Sequence, residues 1–395
     1  MKALIAGAGI GGLASAIALR LRGWEVALFE QAAQLTEIGA GLQISPNGWR
    51  VLAALGVTDL LQDTLFEPEA IEMRMGQSGA GVFRLPLRGY AQQRWGAPYV
   101  HVHRADLVAA LETRLLGLQG DAIRTGHKIE RYTQTDSAAS LVMTDGTEET
   151  GDIVIGADGL HSVIRTQMLG ADNPRYTGNV AWRAVVPVDA LGAVAPPPTA
   201  CVWVGNKRHA VTTRLRGGAL ANFVGMVETD QPGAESWRAT GTRQEAQAAF
   251  QGWAPEISNL IAHADVLHHW ALFDRAPLPR WHAGRVALLG DAAHPMLPSM
   301  AQGAVQALED AWVITDCLEQ HANPNAAFDA YYAQRIDRVS RVQKGSAANA
   351  RLFHHAHALG RLAFYRPMSL VALAAPGAFH GRQDWVYGHD VTGAG

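Results

Sequence analysis

Three carboxylates in this chain stand where an apolar run stops and glycine takes over or follows close behind. Glu30 closes Glu25–Glu30, Asp158 follows Gly156-Ala157, and Asp291 follows Gly290. An acid at the carboxyl end of a buried strand projects into the crevice where open α/β sheets bind ligands. Its chemistry there is to accept hydrogen bonds from ribose or polyol hydroxyls. Near the amino terminus Gly7, Gly9 and Gly12 match G-x-G-x-x-G, which serves a tight turn, close approach of backbone to a pyrophosphate, and helix-on-strand packing. A further set lies in Arg285–Asp310, where Pro295 and Pro298 bracket a loop after Asp291 and Gly303 opens a helical run. Bare amides at a helix start suit developing negative charge.

These groups need strands that end on time. Lys2–Ala6, Glu25–Glu30, Asp152–Ile155 and Val286–Leu289 are short branched or apolar runs that read as buried strands. Helices are expected over Leu13–Arg22, Trp49–Leu61, Arg104–Leu118, from His161 to Met168 and from Ala304, where Ala307, Leu308, Ala311 and Trp312 share a face. Ile38–Asn47 is a glycine-rich stretch suited to lying along a bound cofactor or to a plain surface connection. Arg104, at a helix start, suits a phosphate contact or a surface charge. Between Asn173 and Arg280 the texture changes to strands separated by glycine and proline turns: Ile71–Tyr90 earlier, then Val180–Val188, Ala200–Val204, His209–Leu215, Ala219–Val227 and Val266–Phe273, with a helix near Arg243–Gly252. The reading is an α/β fold, with a first lobe over 1–172 (71–96 contributing to the other lobe), a mostly antiparallel second lobe over 173–280, a return to the first over 281–325, and carboxy-terminal helices over 326–395.

Bulk properties narrow the class. A chain of 395 residues exceeds what one core usually serves, and 48% hydrophobic with 17% charged residues marks a well-buried globular protein. Net charge is −3 with Lys and Arg scattered, so nucleic acid and anionic membrane surfaces are not expected partners. Cys201 and Cys317 are the only cysteines, far apart and without metal spacing, which favours a reducing compartment and no zinc site. The apolar amino-terminal stretch is broken by five glycines and reads as strand and turn, not a signal peptide. A cytoplasmic protein is expected, as monomer or homodimer. His294, three residues after Asp291, suggests loop shaping more than a metal pair. His354, His355 and His357 on the late helix, and His268-His269, read as solvated. Gly-x-Ser-x-Gly is absent, which leaves a serine hydrolase unsupported.

The order GAGIGG, Glu30, GADGLHSVIR, LLGDAAHPMLPSMAQGA resembles the FAD-dependent aromatic hydroxylases, the class A flavoprotein monooxygenases typified by para-hydroxybenzoate hydroxylase. The resemblance covers nearly the whole chain. HAVTTRLRGG (209–218), ALFDRAPLPRW (271–281) and WVYGHD (385–390) look most like salicylate and 3-hydroxybenzoate hydroxylases. It implies a Rossmann-like FAD-binding domain with an inserted substrate domain. It also implies that Gly7, Gly9, Gly12 and Glu30 hold the ADP half of FAD, with Arg104 near the phosphates and Asp158 in an Asp-Gly motif associated with FAD and nicotinamide. Asp291 would bind the ribitol, and Pro295, Gln302, Gly303 and Ala304 would line the isoalloxazine. No second dinucleotide fingerprint is present, so NADH or NADPH is expected to dock transiently.

The same resemblance implies a cycle in which a flavin C4a-hydroperoxide transfers oxygen from O₂ to a small phenolic or heteroaromatic acid. Apolar Met296, Leu297 and Met300 would exclude water. A histidine poised near neutrality suits phenol deprotonation, and His209 matches the histidine that faces the ring in 3-hydroxybenzoate hydroxylases. Arg183 and Arg214 are candidate carboxylate partners, with a surface role the plainer reading of each. Ser299 after Pro298, and Thr213-Arg214 where many relatives have Tyr-Pro, depart from the pattern and predict a wider or more polar pocket. Two other readings stay open: the same flavin fold doing epoxidation, N-hydroxylation or dehydrogenation, or a flavin- or aromatic-binding protein without turnover.

Overall fold

The computed structural model describes all residues except 36–40, 232–238, 355–360 and 394–395. Ile38–Ala40 of the glycine-rich stretch, and His355 and His357, therefore lie outside the described residues. Lys2–Ala6 is an inner strand of a six-stranded sheet, flanked by Ile153–Gly156 and Glu25–Glu30. Val286–Leu288 pairs parallel to Ile153–Gly156, so the acid-tipped strands lie in one sheet and end on one side. Both faces of the sheet are covered, which is why these strands are apolar through their middles rather than alternating.

The first helix is Ile10–Leu21, three residues earlier than its apolar pattern suggests, because it starts on the glycine turn with Gly9 as its N-cap. It packs between Arg104–Leu118 and Gly303–Gln320. The run read as one helix over Trp49–Leu61 is instead Pro46–Ala54 followed by a single tight turn at Thr58–Leu61. Gly56 sits between them at φ +70°, a left-handed conformation that stops a helix.

A second sheet has seven strands in the order His268–Asp274, Arg175–Pro187, Leu220–Glu228, Arg208–Leu215, Ala200–Val204, Ala70–Met75, Gly81–Pro86. It is antiparallel except where Ala200–Val204 runs parallel to Ala70–Met75. Elements beyond those expected include the antiparallel meander of Ile129–Gln134, Ala139–Met143 and Glu148–Gly151, and the helix Pro255–His263, which covers the outer face of the large sheet together with Arg243–Ala249. The late amphipathic pattern resolves into one helix of 30 residues, Pro324–Phe353, then shorter ones from Arg366 onward. No helix among the described residues is long and apolar enough to cross a membrane.

Candidate active site

A cavity of about 330 Å³ runs between the carboxyl ends of the parallel strands and one face of the seven-stranded sheet. At the parallel end it is bounded by Gly9, Gly11, Arg104, Gly159 and Asp291. The three fingerprint glycines do different jobs. A Cβ on Gly12 would fall on the Gly7 carbonyl oxygen, and one on Gly7, at φ +99°, would stand 2.5 Å from the Ala157 oxygen. Both are glycine so that helix and strand can touch. A Cβ on Gly9 would meet nothing within 4 Å among the described residues, and Gly9 lines the cavity, which leaves room for a ligand to approach the backbone there. We expect Gly9→Val to fold with an unchanged melting temperature and to weaken FAD binding by about tenfold or more, read by fluorescence titration. Wild-type affinity would show that nothing approaches that backbone.

Glu30 accepts the Ala8 and Ala32 amides at 3.0 and 2.9 Å, which holds its carboxylate beside the glycine turn. Asp158 departs from its expected role. Its carboxylate takes the Ser162 hydroxyl at 2.6 Å and the Val163 and Ile164 amides at 2.8 and 3.2 Å, so it caps the following helix and has little left for a cofactor. Asp291 is the reverse case. Among the described residues no donor reaches its carboxylate, which faces the cavity. Burial raises its pKa, against the lowering pull of His294, Arg104, Arg165 and Arg275. An acceptor left open in such surroundings fits a polyol.

The loop from Pro295 to Ser299 is clamped by the long helix. Gln343, Ser346 and Asn349, three residues apart on one face, donate to the carbonyls of Pro295, Leu297 and Ser299 at 2.9, 2.6 and 3.3 Å. Gly303 and Ala304 then open an 18-residue helix toward the cavity with no acidic residue in its first turn. Gln302 does not line the cavity. Its side chain is buried away from the cavity, donating to the Ser45 hydroxyl at 2.9 Å and accepting from Asn47 at 3.2 Å. Beneath this loop His294 and the Gly290 amide meet Asp310, which also holds Arg335 at 2.8 Å. His294 thus shapes the loop, and no metal-binding group exists among the described residues.

On the sheet side the lining follows the pleat: Ala181 and Arg183, His209 and Val211, Asn222, Val224 and Met226, Trp270 and Leu272. Arg183 is paired in register with Val224, and Val224 with Val211. Its guanidinium lies over Trp270 at 5.5 Å, with no hydrogen bond or ion pair to any described residue. Burial, helped by Arg104, pushes its pKa down to about 10. A surface role is ruled out for it. Arg214 fails as a carboxylate partner for a reason of parity: it points to the opposite face from His209 and is buried, donating to the Pro196 carbonyl. Thr213 has the right parity but lies one row beyond the cavity, its hydroxyl taken by Asn222 at 3.1 Å. Asn222 in turn accepts the Gly41 amide at 3.1 Å and lines the cavity in its place. Pro298 and Ser299 also line the cavity, and the Ser299 hydroxyl is buried with no partner among the described residues.

His209 faces the cavity but is not poised near neutrality. Burial, with His354 beside it, pushes its pKa well down. The solvated reading is overturned for His354 and His269. His354 is buried against His209, and His269 stacks on Trp182 with ring centroids 4.1 Å apart. Sequence reasoning missed Asn222, Trp270 and His354. The first two carried a signal in strand parity; the third did not, since its partner is 145 residues away.

Residues 1–346 match the family model described as FAD binding domain. The chain is 37% identical over 351 residues to the 3-amino-4-hydroxybenzoate 2-monooxygenase of Streptomyces platensis, covering 89% of this chain and 88% of that one. It is 36% identical over 396 residues to the 3-hydroxybenzoate 6-hydroxylase of Polaromonas naphthalenivorans, covering 99% and 96%. A crystal structure of Klebsiella pneumoniae HpxO complexed with FAD and uric acid superposes with a TM-score of 0.86 at 29% identity, over 98% of this chain and 97% of that one.

Proposed function

The chain belongs to the FAD binding domain family, and from that premise we propose that it is an NAD(P)H-dependent flavoprotein monooxygenase hydroxylating a small phenolic or heteroaromatic acid. The observation that carries this reading is one continuous cavity joining a dinucleotide cradle to a sheet face that offers a base and an unpaired cation. We take the parallel sheet as the cofactor lobe and the large sheet as the substrate lobe. Two buried free thiols fit a reducing compartment, and we place the protein in the cytoplasm.

FAD held in this cavity would supply hydride acceptance from the nicotinamide and activation of O₂ for transfer of one oxygen atom to the ring. The rest is the work of the chain. Glu30 and the Gly9 backbone would bind the adenosine and pyrophosphate, Arg104 would meet the phosphates, and Asp291 would accept from the ribitol. The amides opening the Gly303–Gln320 helix favour negative charge on the flavin's pyrimidine edge. Met296 and Leu297 close the cavity against water. On the substrate side, Arg183 holds the carboxylate, the Ser299 hydroxyl meets a polar ring substituent, and His209 takes the phenol proton.

The test is substrate-stimulated NADH oxidation with product analysis, using 3-hydroxybenzoate, salicylate and hydroxynicotinates. One hydroxylated product per NADH supports the reading; flavin binding with no NAD(P)H consumption for any aromatic overturns it. Replacing Arg183 by Gln should raise KM for a carboxylate-bearing ring by about tenfold or more and leave that for a neutral phenol unchanged. Equal effects on both would remove its anchoring role.

A further inference from the structure

A base that is hard to protonate is a poor place to leave a proton. His209 is buried, and its Nδ1 lies 2.7 Å from Nε2 of His354. Nδ1 of His354 lies 2.6 Å from a carboxylate oxygen of Glu228, whose side chain is 40% exposed. His354 is the C-cap of the long helix that clamps the flavin loop, and Glu228 ends a strand of the large sheet. We infer that His209, His354 and Glu228 form a proton exit from the cavity to solvent, with His209 touching the substrate and the other two acting as positioning residues. This rests on the hydroxylase reading above for the phenol.

The hydrogen-bond directions follow from the charge at the outer end. Ionised Glu228 can only accept, so His354 carries its proton on Nδ1 and presents a bare Nε2. His209 then donates from Nδ1, which leaves its Nε2 lone pair for the cavity. When a phenol binds, its O–H bond breaks as the His209 Nε2–H bond forms. The Nδ1 proton of His209 passes to Nε2 of His354, and the Nδ1 proton of His354 passes to Glu228. The sum is phenol plus carboxylate giving phenolate plus carboxylic acid, which then loses its proton to water. Each ring gains one proton and loses one, so no imidazolium is stranded in a low-dielectric site. The reverse passage reprotonates the product and restores both tautomers.

Among the described residues the neighbouring groups do not short-circuit this path. Phe353 meets the His209 ring edge-on at 5.1 Å, and Val204 and Tyr365 pack in the same cluster. The Tyr365 hydroxyl is turned onto the Leu352 carbonyl, and Arg208 onto that of Ala249. Lys207 reaches His354 through its backbone amide. On the cavity side the ionisable groups are Arg183, Arg104 and Asp291.

The experiment uses FAD-loaded protein in its oxidised form and the coloured phenol 3-hydroxy-4-nitrobenzoate, whose bound phenolate is read by absorbance without turnover. The wild type should ionise the probe at pH values below the free phenol's own pKa. Glu228→Gln, half-exposed and near-isosteric, should keep the wild-type melting temperature and slow phenolate formation by about tenfold or more, with Glu228→Asp restoring it. His354→Gln should match Glu228→Gln. Wild-type rate and pH profile in Glu228→Gln, or a wild-type cavity that never takes the probe as phenolate, overturns the exit. Should the probe ionise as expected while no aromatic is ever hydroxylated, the exit stands and the hydroxylase reading falls. The opposite pair of results separates them the other way.

Discussion

Replacing Asp291 by alanine should lower FAD affinity by about a hundredfold, because a charged acceptor shared by polyol hydroxyls contributes about 3 kcal/mol. Its carboxylate has no donor among the described residues, so this loss is not cushioned by rearranged protein contacts. The apo protein should behave in the opposite way. An acid whose folded pKa is raised destabilises the fold at pH above that pKa, and burial is what raises this one. Without FAD, Asp291→Ala should therefore melt no lower than wild type at neutral pH, while its FAD-saturated form melts lower than saturated wild type. Flavin titration and paired melting curves check both halves. Affinity within threefold of wild type would move the ribitol elsewhere.

The second large effect lies under the flavin loop. Arg335 is fully buried and binds Glu309 at 2.5 Å and Asp310 at 2.8 Å. Arg338 adds a second cation to Glu309 at 2.7 Å, and Asn47 donates to Glu309 at 2.7 Å. Burial alone would raise both carboxyls. For Glu309 Arg335, Arg338 and Asn47 outweigh it, and for Asp310 His294, Arg335 and the Gly290 amide do; each is held down to about 2. Arg335→Met fills the space but removes the cation shared by two adjacent buried carboxylates, leaving Glu309 to Arg338 and Asn47 and Asp310 to His294 and the Gly290 amide, at a cost of about 3 to 5 kcal/mol in urea midpoint measurements.

The pH dependence has a definite sign. Depressed carboxyl pKa values stabilise the fold fully above the unfolded value near ~4, and that stability is lost as pH falls from there through about 2. The gap between wild type and Arg335→Met should narrow as pH falls, beginning above the unfolded value, because burial raises the variant's carboxyls once Arg335 no longer offsets it. A constant gap would mean that packing, not charge, is what Arg335 provides. Because Asp310 also holds the Gly290 amide and His294, the variant should bind FAD less tightly even where it folds.

The cofactor half of the site was legible because its signals are local. A strand, its glycines and its terminal acid sit within thirty residues, and the helix opening at Gly303 follows Asp291 at once. The motif could name Asp158 but not its use: only the folded turn shows the carboxylate consumed by Ser162 and two amides. Gln302 misled for the same reason, since a backbone at the helix start says nothing about where its side chain turns.

The substrate half divides on strand parity. Period two already separates His209 and Val211 from Arg214, and it places Asn222, Val224 and Met226 on the same face once the register is known. Register itself is a tertiary fact, set by which strands pair and by what roofs each row, and it is what puts Asn222 over Thr213. What the amino-acid order determined was chemistry that neighbours in the chain can build: glycine turns, acid-tipped strands, a proline-bracketed loop and a helix opening behind it. What only the tertiary structure decided was how distant groups meet and what burial does to them. His354 reads as a surface histidine until a 30-residue helix carries it against His209 and Glu228, and the same helix buries Arg335 on two acids. Charge and proton affinity depend on solvent access and partners, and those exist only once the chain is folded.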